Sequence, residues 1–475
     1  MTTLHSPNNT SAEPATSRRR WLVLTLLATA QLMLVLDVTV VTVALPDIGA
    51  DLGLSQALVP WVLTTYTLFF GGLILLGGRL SDLFGARRIL LTGLTLFTAA
   101  SLACGLASSS ELLLAGRAAQ GVGAALLSPA ALGLVTVTFT GADRTKALAV
   151  WGALSGAGTA LGVVLGGVLT SAFGWPWIFA VNVPIGLAIL AVGSRIFPVA
   201  PPAAQRERLD IPGAVLVTAG TAAAIYGLVN AGTDGWGAAS TLLSLGAALA
   251  LWTAFALVER ATAQPLLRVG LLLERPVAAG AFLMLVATGL MVGGFLLGSF
   301  ALQRAHGFGA GQVGLCFLPV AVAVVVGAHL AGRLLTHLPA RAVAASGLAL
   351  AAGGNALAAI TSGAVPLVIG LAVGALGIGA TFVTAFGAAL SDATPHDAGL
   401  RSAVVSTFHE LGGAFGVAVL ATVAGSALVT ARPDVSAFGE AFTVAAVVAA
   451  VGAVVAGVLV PTVSGAATGH GHGHH

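Results

Sequence analysis

Long apolar stretches alternate with short polar breaks along almost the whole of this chain of 475 residues. A helix needs about 20 mostly apolar residues to cross a bilayer. Breaks rich in charged and turn-forming residues divide the chain into fourteen stretches of that kind. The pattern therefore predicts fourteen spanning helices, at residues 21–45, 57–77, 89–107, 112–137, 147–173, 177–197, 212–230, 239–258, 277–303, 312–331, 342–361, 365–391, 402–430 and 440–461.

The composition supports an all-α polytopic membrane protein. Hydrophobic residues make up 57% of the chain and charged residues only 8%, whereas soluble domains carry roughly 25% charged residues. A soluble helical bundle is excluded because the stretches have almost no polar face. The two cysteines, Cys104 and Cys316, lie inside apolar runs. They predict neither a disulfide framework nor a metal site, and we expect no metal and no cofactor.

The distribution of Lys and Arg predicts the orientation. With the N-terminus inside the cell, 17 of the 20 Lys and Arg residues fall on the inner side. Of the others, Arg117 lies in a span and Arg304 and Arg432 lie outside. Cytoplasmic loops carry such an excess of basic residues. We therefore expect two cytoplasmic tails, residues 1–20, which do not resemble a signal peptide, and the His-rich residues 462–475, to which we assign no function.

A short internal repeat predicts the domain organisation. GRLSDLFGAR at 78–87 follows the second predicted span, and GRLLTHLPAR at 332–341 follows the tenth. Transporters are often built from two parallel repeats, and six helices per repeat would put the second copy after the eighth span. The sequence therefore predicts two inserted helices between two bundles. The divisions are 21–197 for the N-terminal six-helix bundle, 198–276 for the linker with two extra helices, and 277–461 for the C-terminal bundle.

Two acids inside the predicted spans are candidate functional residues, because a charge at the bilayer centre costs about 2.5–3.5 kcal/mol. Asp37, in LVLDVTVVTVALP, lies 16 residues past Trp21, or about 24 Å along a helix. Glu410 lies in STFHELGGAFG of the thirteenth span. Each must face a cavity, pair with a cation or take up a proton, and for Asp37 a structural salt bridge is the alternative. His409 points about 100° away from Glu410 and is a secondary candidate.

The fourth and fifth spans hold further candidates. Arg117 and Gln120, in GRAAQGVGAA, are three residues apart and share a helix face. Arg117 lies at a depth compatible with Asp37, although a snorkelling arginine is the alternative. In the fifth span, small residues recur every four positions and predict a groove for a neighbouring helix. These helix-packing residues are Gly158, Gly162 and Gly166, together with Gly167.

Several of these stretches together resemble the fourteen-helix drug:proton antiporter branch of the major facilitator superfamily, over residues 21–461. The resemblance implies two six-helix bundles plus two inserted helices, and transport by alternating access. It implies that Asp37 and Glu410 carry protons or meet cargo, with Arg117 close to their path. The motifs occur in the order that the family has: LDVTVVTVALPDI, GGRLSDLFGARR, GRAAQGVGAA, GALSGAGTALGVVLGGVLTSAFGWPWIFAVNVPIG and STFHELGGAFG.

The same resemblance gives the loop at 77–88 the role of a conformational latch. Asp82 would lock the two halves by meeting charges and a helix N-terminus nearby, and the glycines would permit close backbone approach. The second copy has Thr336 and Pro339 at the positions of Asp82 and Gly85, so only the first copy is expected to act as a latch. A plain basic cytoplasmic loop is the alternative. The expected latch residues are Gly78, Asp82, Gly85, Arg87 and Arg88.

The function expected from these features is proton-coupled efflux of lipophilic or amphipathic drugs or antibiotics, including cationic ones. Its partners would be a small-molecule cargo, protons and the lipid bilayer of the bacterial plasma membrane. We expect a monomer, no nucleic acid, and no cofactor because the proton gradient supplies the energy. The family usually has Gly-Pro where this chain has Gly162-Val163. That departure leaves an uptake or facilitative carrier as the alternative.

Other classes of protein fit less well. A primary pump is disfavoured because the chain has no GxxxxGK[ST] loop for a nucleotide. A membrane-embedded enzyme needs a cluster of nucleophile, base or metal ligands, and the polar residues inside the spans are too few and scattered. A sensor would need a soluble output domain, and no loop or tail is long enough. The chain is therefore not expected to be an enzyme.

Overall fold

The computed structural model describes residues 13–139, 141–199, 210–262, 265, 267, 269–393 and 398–461, which form helices joined by short connections and include no strand. Proline occupies the first turn of several helices, where its missing N–H is not needed. The α-helices are α1 (Glu13–Asp51), α2 (Val59–Phe84), α3 (Ala86–Gly105), α4 (Ser110–Thr138), α5 (Gly141–Phe173), α6 (Pro176–Ala180), α7 (Asn182–Ile196), α8 (Ile211–Thr233), α9 (Ala239–Ala261), α10 (Val269–Leu273), α11 (Arg275–Phe300), α12 (Ala310–Leu334), α13 (Ala340–Ile360), α14 (Ala364–Ala389), α15 (Ala398–Ala424) and α16 (Gly439–Leu459).

Thirteen helical segments of the described chain are long and apolar enough to cross a membrane. One of them joins α6 and α7, and another continues α11 through a π-helical turn at Ala301–Ala305. The further long helix, α5, has its described apolar part at Leu161–Phe173. The prediction of an all-helical polytopic membrane fold is confirmed.

The helices extend beyond most of the predicted apolar stretches, because helical hydrogen bonding continues past the apolar layer. Residues 13–20 of the predicted cytoplasmic tail are helical and form the first turns of α1. Within the predicted linker, α10 is a short helix that hydropathy alone did not predict. The predicted tail at 462–475 lies outside the described residues.

The two ends of the bundle can be named from the connections they hold. At the α1–α2 face, the Trp175 indole donates to Asp51 Oδ2 at 2.8 Å, which brings the α5–α6 connection beside the end of α1. At the α2–α3 face, Arg275 Nε donates to the carbonyl of Leu459 at 3.0 Å, so the start of α11 lies beside the end of α16. The α2–α3 face is the one predicted to be cytoplasmic.

The helices associate in two groups that meet along a seam. Within α1–α7, helix α4 packs on α2 and α3 and α1 packs on α5, and within α11–α16, helix α14 packs on α11, α12 and α13. The groups meet where α2 packs on α15, α5 on α12, and α1 on α11. Helix α8 lies across the seam, since it contacts Gly72 of α2 and Thr422 of α15. Helix α9 packs on α8 and is otherwise largely exposed.

The internal repeat recurs in the packing of the helices. Gly332 of the second copy follows Gly78 of the first by 254 residues, and the same shift relates α3 and α4 to α13 and α14. A Cβ atom on Gly93 would lie 2.7 Å from the carbonyl oxygen of Gly123. Its counterpart on Gly347 would lie 2.8 Å from that of Gly377. The two helix pairs therefore approach each other through glycines at equivalent positions. At Gly93, Gly123, Gly347 and Gly377, backbone of the neighbouring helix occupies the space that a side chain would need.

Candidate functional site

Asp37 of α1 joins Arg117 and Gln120 of α4 in a buried polar network. Arg117 Nη1 donates to Asp37 Oδ2, and also to Gln120 Oε1 at 2.8 Å. Gln120 Nε2 donates to Asp37 Oδ1 at 3.1 Å and to Ser101 Oγ of α3 at 2.8 Å. Both carboxylate oxygens of Asp37 therefore accept a hydrogen bond from α4. The two side chains of α4 reach Asp37 together because they are one helical turn apart.

The Arg117 guanidinium is enclosed by α2 and α6. Its Nε donates to the carbonyl of Val62 at 2.9 Å, and its central carbon lies 4.5 Å from the Tyr66 ring centroid and 5.8 Å from that of Phe179. Arg117 is fully buried and Asp37 is only 3% exposed. An ion pair so enclosed is stabilised when its remaining polar atoms are also bonded. Here the Val62 carbonyl accepts from Nε, the Gln120 amide oxygen accepts from Nη1 and the Tyr66 ring covers the guanidinium, while Nη2 is buried without a hydrogen-bond partner among the described residues.

The network divides the apolar core of α1–α7 into two clusters. One cluster, toward the α2–α3 face, includes Leu34 and Leu127. The other, toward the α1–α2 face, includes Val40 and Leu113 and continues into α11–α16. Along both α1 and α4 the polar side chains therefore lie between two apolar layers. Burial of the two charges between apolar layers is costly unless they are paired, which favours the Asp37–Arg117 ion pair.

The sequence predicts Asp37, Arg117 and Gln120 as candidates but not the groups that complete the network. Ser101 accepts from Gln120, and Cys104 Sγ lies 3.5 Å from Gln120 Oε1. A hydroxyl or thiol inside an apolar span is compatible with many environments, since it can also bond its own helix. The spacing of polar residues therefore carried no signal for these two side chains.

Glu410 of α15 lies at the seam between the two groups of helices. A Cβ atom on Gly71 of α2 would come within 2.7 Å of the Glu410 Cβ, so the backbone of α2 passes directly beside it. Glu410 is half-buried, and among the described residues it has no hydrogen-bond or ion-pair partner. Tyr66 lies close enough to both Asp37 and Glu410 for their charges to act on its phenol. The two acids therefore differ in pairing.

His409 faces a different surface from Glu410. Its Nδ1 lies 2.8 Å from Thr288 Oγ1 and 3.4 Å from Met284 Sδ, both on α11. Its ring centroid is 5.7 Å from that of Phe382 on α14. His409 therefore contacts side chains of its own helix group, whereas Glu410 faces the other group.

The glycines of α5 receive helices on two sides. A Cβ atom on Gly158 would lie 2.7 Å from Val35 Cγ1, one on Gly166 would lie 2.9 Å from the Cα of Val40, and Gly162 lies against Thr39. All three contacts are with α1. Gly167 instead faces α12, where its Cβ atom would lie 2.7 Å from the Ala310 carbonyl oxygen. The three glycines spaced four residues apart therefore pack against α1, and Gly167 permits close contact with α12 across the seam.

In the region that joins α2 to α3, Gly85 has the backbone conformation that favours glycine, but the close helix contact is made by a different glycine from the predicted one. Gly85 has a φ of 91°, which favours glycine, and its N–H donates to the Ser81 carbonyl at 3.0 Å at the end of α2. The expectation of close backbone approach at Gly78 is wrong, because the nearest atom to its Cβ position is 3.8 Å away. The close approach is made by Gly77, which lies against the carbonyl of Ala125. Adjacent residues differ by about 100° around a helix, so only one of the pair faces α4.

The basic residues of this loop differ in what they contact. Arg87 donates to the carbonyl of Ser194 on α7, within its own helix group. Asp82 and Arg88 are exposed. Elsewhere in the described part of the chain, no group of three or more His, Cys, Asp or Glu side chains is placed to hold a metal ion.

The sequence matches the Major Facilitator Superfamily over residues 27–417. The chain belongs to this family. It is 41% identical to a puromycin resistance protein of Streptomyces alboniger, over 85% of this chain and 82% of that one. It is 38% identical to a cephamycin export protein of Amycolatopsis lactamdurans, over 93% of each chain. A lincomycin resistance protein of Streptomyces lincolnensis is 36% identical, over 91% of this chain and 89% of the relative.

Solved structures of other major facilitator proteins have the same fold. A peptide transporter of the POT family superposes with a TM-score of 0.67 at 17% identity, over 95% of this chain and 99% of that one. A bacterial homologue of the human lysosomal transporter Spinster superposes with a TM-score of 0.63 at 17% identity, over 94% and 97% of the chains. The protein is therefore a multi-pass membrane transporter of the major facilitator fold and not an enzyme.

Proposed function

We propose that this major facilitator protein exports lipophilic or amphipathic antibiotics or drugs, including cationic ones, in exchange for protons. The observation that carries the proposal is the contrast between its two intramembrane acids. Asp37 is paired through both oxygens inside one helix group, while Glu410 faces the seam with no partner among the described residues. Glu410 is thus free to exchange a proton for a cationic cargo, and Asp37 responds through its pairing with Arg117.

Competition for one charge gives the exchange its physical basis. A protonated carboxyl group no longer attracts a cation, so proton and cationic cargo exclude each other at Glu410. By linkage, each ligand lowers the affinity for the other to the same extent. Tyr66 lies beside Arg117 and within electrostatic range of Glu410. It is our candidate for the contact through which the two acids influence each other.

The contacts across the seam support alternating access. Gln303 Nε2 donates to the carbonyl of Val43 at 2.8 Å, and Arg304 Nη2 donates to that of Pro46 at 2.8 Å. Both bonds join the π-helical turn after α11 to the end of α1, at the α1–α2 face. We propose that α1–α7 and α11–α16 rock as two bodies and that these bonds break when that face opens. The loop with Asp82, at the opposite face, would then act as the latch.

The choice of cargo rests on the relatives. Their names refer to resistance to puromycin and lincomycin and to export of cephamycin. We propose antibiotics as the cargo class, and the bacterial plasma membrane with both termini in the cytoplasm as the location. A susceptibility screen with and without the gene, covering these antibiotics, ethidium and tetraphenylphosphonium, tests this directly. Protection against at least one compound is expected, and protection against none would refute the proposed function.

Two neutral substitutions test the coupling. Transport is measured as uptake, into inside-out vesicles under an imposed proton gradient, of a compound against which the gene protects cells. Asp37→Asn and Glu410→Gln are each expected to reduce this uptake by about tenfold or more, because proton-transfer groups contribute on that scale or above. Glu440→Gln is the matched control, because Glu440 is an exposed acid in the first turn of α16. Unchanged transport in both test variants would sink the coupling assignment. Accumulation of the compound by intact cells would support an uptake carrier instead.

A further inference from the structure

A small recess lies within α11–α14, apart from both intramembrane acids. The empty space between its side chains amounts to about 370 Å³, including the part that opens to the outside. Its enclosed part has room for little more than one water-sized group, so it suits the small end of a branch rather than a whole molecule. Neither the sequence motifs nor the proposed export mechanism uses its residues. The wall includes Leu290, Phe295, Val320, Leu371, Ile378 and Asn355.

The recess is the counterpart of the Asp37 network under the internal repeat. The shift of 254 residues carries Asp37, Tyr66, Ser101, Arg117 and Gln120 onto Met291, Val320, Asn355, Leu371 and Gly374, and all five of these line the recess. Valine replaces tyrosine, leucine replaces arginine and glycine replaces glutamine. The space that polar side chains fill in the first repeat is therefore left open and apolar in the second.

Asn355 is the polar side chain of this wall. It is only 4% exposed, and its Nδ2 donates to the carbonyl of Ala351 at 2.8 Å. Its Oδ1 is buried without a hydrogen-bond partner among the described residues. A buried acceptor left without a donor is destabilising. The amide therefore favours an occupant that brings one donor.

Water is a poor occupant for this recess. A buried water is usually held by about 2–4 polar partners, and the lining side chains other than Asn355 are apolar or glycine. A water here would satisfy Oδ1 but leave its own remaining groups against leucine, valine and phenylalanine. An apolar group with a single hydroxyl or N–H would satisfy the same acceptor and also gain contact with the walls.

We propose that the recess is a cargo subsite that takes an uncharged apolar branch carrying one hydroxyl or N–H, which donates to Asn355 Oδ1. This inference rests on the proposed export function and adds a second part of the protein that recognises the cargo. The acids would recognise the charge of the cargo, and the recess in the second repeat would recognise its apolar shape and one hydrogen-bond donor. Compounds with the same charge would then be distinguished by what their apolar branch carries.

Two glycines allow the recess to be filled without moving its backbone. The nearest atom to a Cβ on Gly294 is Leu371 Cδ2 at 3.8 Å, and a Cβ on Gly374 would have its nearest neighbours at 3.7 Å. Both distances are ordinary contacts, so added side chains project into the recess. Gly353 of α13 is exposed and has no atom within 4 Å of its Cβ position. It provides a control for replacing glycine by a larger residue in a helix of the same group.

The test uses the full-length protein in nanodiscs and two cationic probes, ethidium, which carries aromatic N–H donors, and tetraphenylphosphonium, which carries none. Gly294→Val is expected to weaken ethidium binding roughly tenfold, the equivalent of about 1.4 kcal/mol, while Gly353→Val leaves it unchanged. Asn355→Leu is expected to weaken ethidium binding about fivefold, the worth of one hydrogen bond, with tetraphenylphosphonium affected by less than about twofold. Gly374→Ala, a smaller addition, should give an intermediate loss.

Each outcome bears on the proposal. Unchanged ethidium affinity in both Gly294→Val and Gly374→Ala would overturn it, as would an equal loss for both probes in Asn355→Leu. Wild-type protein that binds neither probe would overturn it as well. These results are separate from failure of the export function, in which cells expressing the wild-type gene gain no protection from any compound. Size-exclusion profiles and melting temperatures establish whether each variant is folded. If Gly294→Val does not fold, Gly374→Ala takes its place as the variant that fills the recess.

Discussion

The two repeats build the same helical frame around different interiors. Glycines at equivalent positions bring α3 to α4 and α13 to α14, with closely similar separations at Gly93 and Gly347. In the first repeat this frame encloses the Asp37–Arg117 pair. In the second it encloses an apolar recess with Asn355 on its wall. The second repeat thus shows that this arrangement of helices does not need a buried ion pair.

That comparison bears on why the ion pair exists. A buried salt bridge often contributes less to stability than apolar residues do, and the second repeat has apolar residues or glycine at the positions of Asp37, Arg117 and Gln120. The network also interrupts the apolar core of α1–α7, which α11–α16 does not repeat at the same positions. A purely structural role for Asp37 therefore has little support. We infer that the pair is kept for transport, and the following variants examine that inference from the largest effect to the smallest.

Converting the first repeat to the residues of the second separates stability from transport. Arg117→Leu copies Leu371 but leaves Asp37 buried beside an amide, and it is expected to lower the free energy of unfolding by about 3–5 kcal/mol. Adding Asp37→Met, which copies Met291, removes the stranded charge and should recover most of that loss. Export should remain absent in both. Thermal or denaturant unfolding in micelles, together with vesicle transport, measures the two properties.

The volume-conserving substitution Leu371→Met is the control for this pair, because it changes an equivalent position without introducing or removing charge, and it should cost less than about 1.5 kcal/mol. A double variant that is no more stable than Arg117→Leu would contradict the comparison. It would mean that the first repeat needs its ion pair to hold its helices together. A double variant that still exports would instead remove Asp37 from the mechanism.

Adding a side chain at the shared glycines tests whether the frame is the same in both repeats. Gly93→Val and Gly347→Val each place a Cβ atom within 2.8 Å of a backbone oxygen on the neighbouring helix. Each is expected to destabilise by about 1–3 kcal/mol, since overpacked helices must separate. Gly353→Val, at an open position, should have little effect. A large loss of stability in Gly93→Val with none in Gly347→Val would show that this glycine contact stabilises the first repeat but not the second.

The sequence predicts the frame far better than the contacts inside it. Spanning helices are forced by the absence of water in the bilayer, so hydropathy alone locates them. The depths of Asp37 and Arg117 follow from counting residues along a helix. Their partners Tyr66 and Ser101 do not follow, because which side chains meet depends on how each helix is rotated about its axis. Gly77 and Gly78 illustrate the point, since one residue of rotation decides which of the two faces α4.

The recess could not be predicted from a motif at all. It consists of missing side chains, and glycine at 374 or leucine at 371 looks ordinary in any apolar span. The repeat in the loops 78–87 and 332–341 supplies the register, but only the structure shows that residues related by that register share one site. A site that arises from a difference between the repeats can therefore be recognised only when the shift in sequence is combined with the packing of the helices.

The smallest expected difference lies at the equivalent residues Ser101 and Asn355. Ser101 accepts a hydrogen bond from Gln120, and its removal in Ser101→Ala leaves that buried N–H with one acceptor fewer, at a cost of about 1 kcal/mol. Asn355→Leu removes an acceptor that no described residue uses, so its effect on unfolding should be near zero or slightly stabilising. Unfolding of the two variants without cargo measures the difference. Equal losses at both positions would mean that Asn355 supports the fold as Ser101 does, and its free oxygen would then have no need of a cargo to explain it.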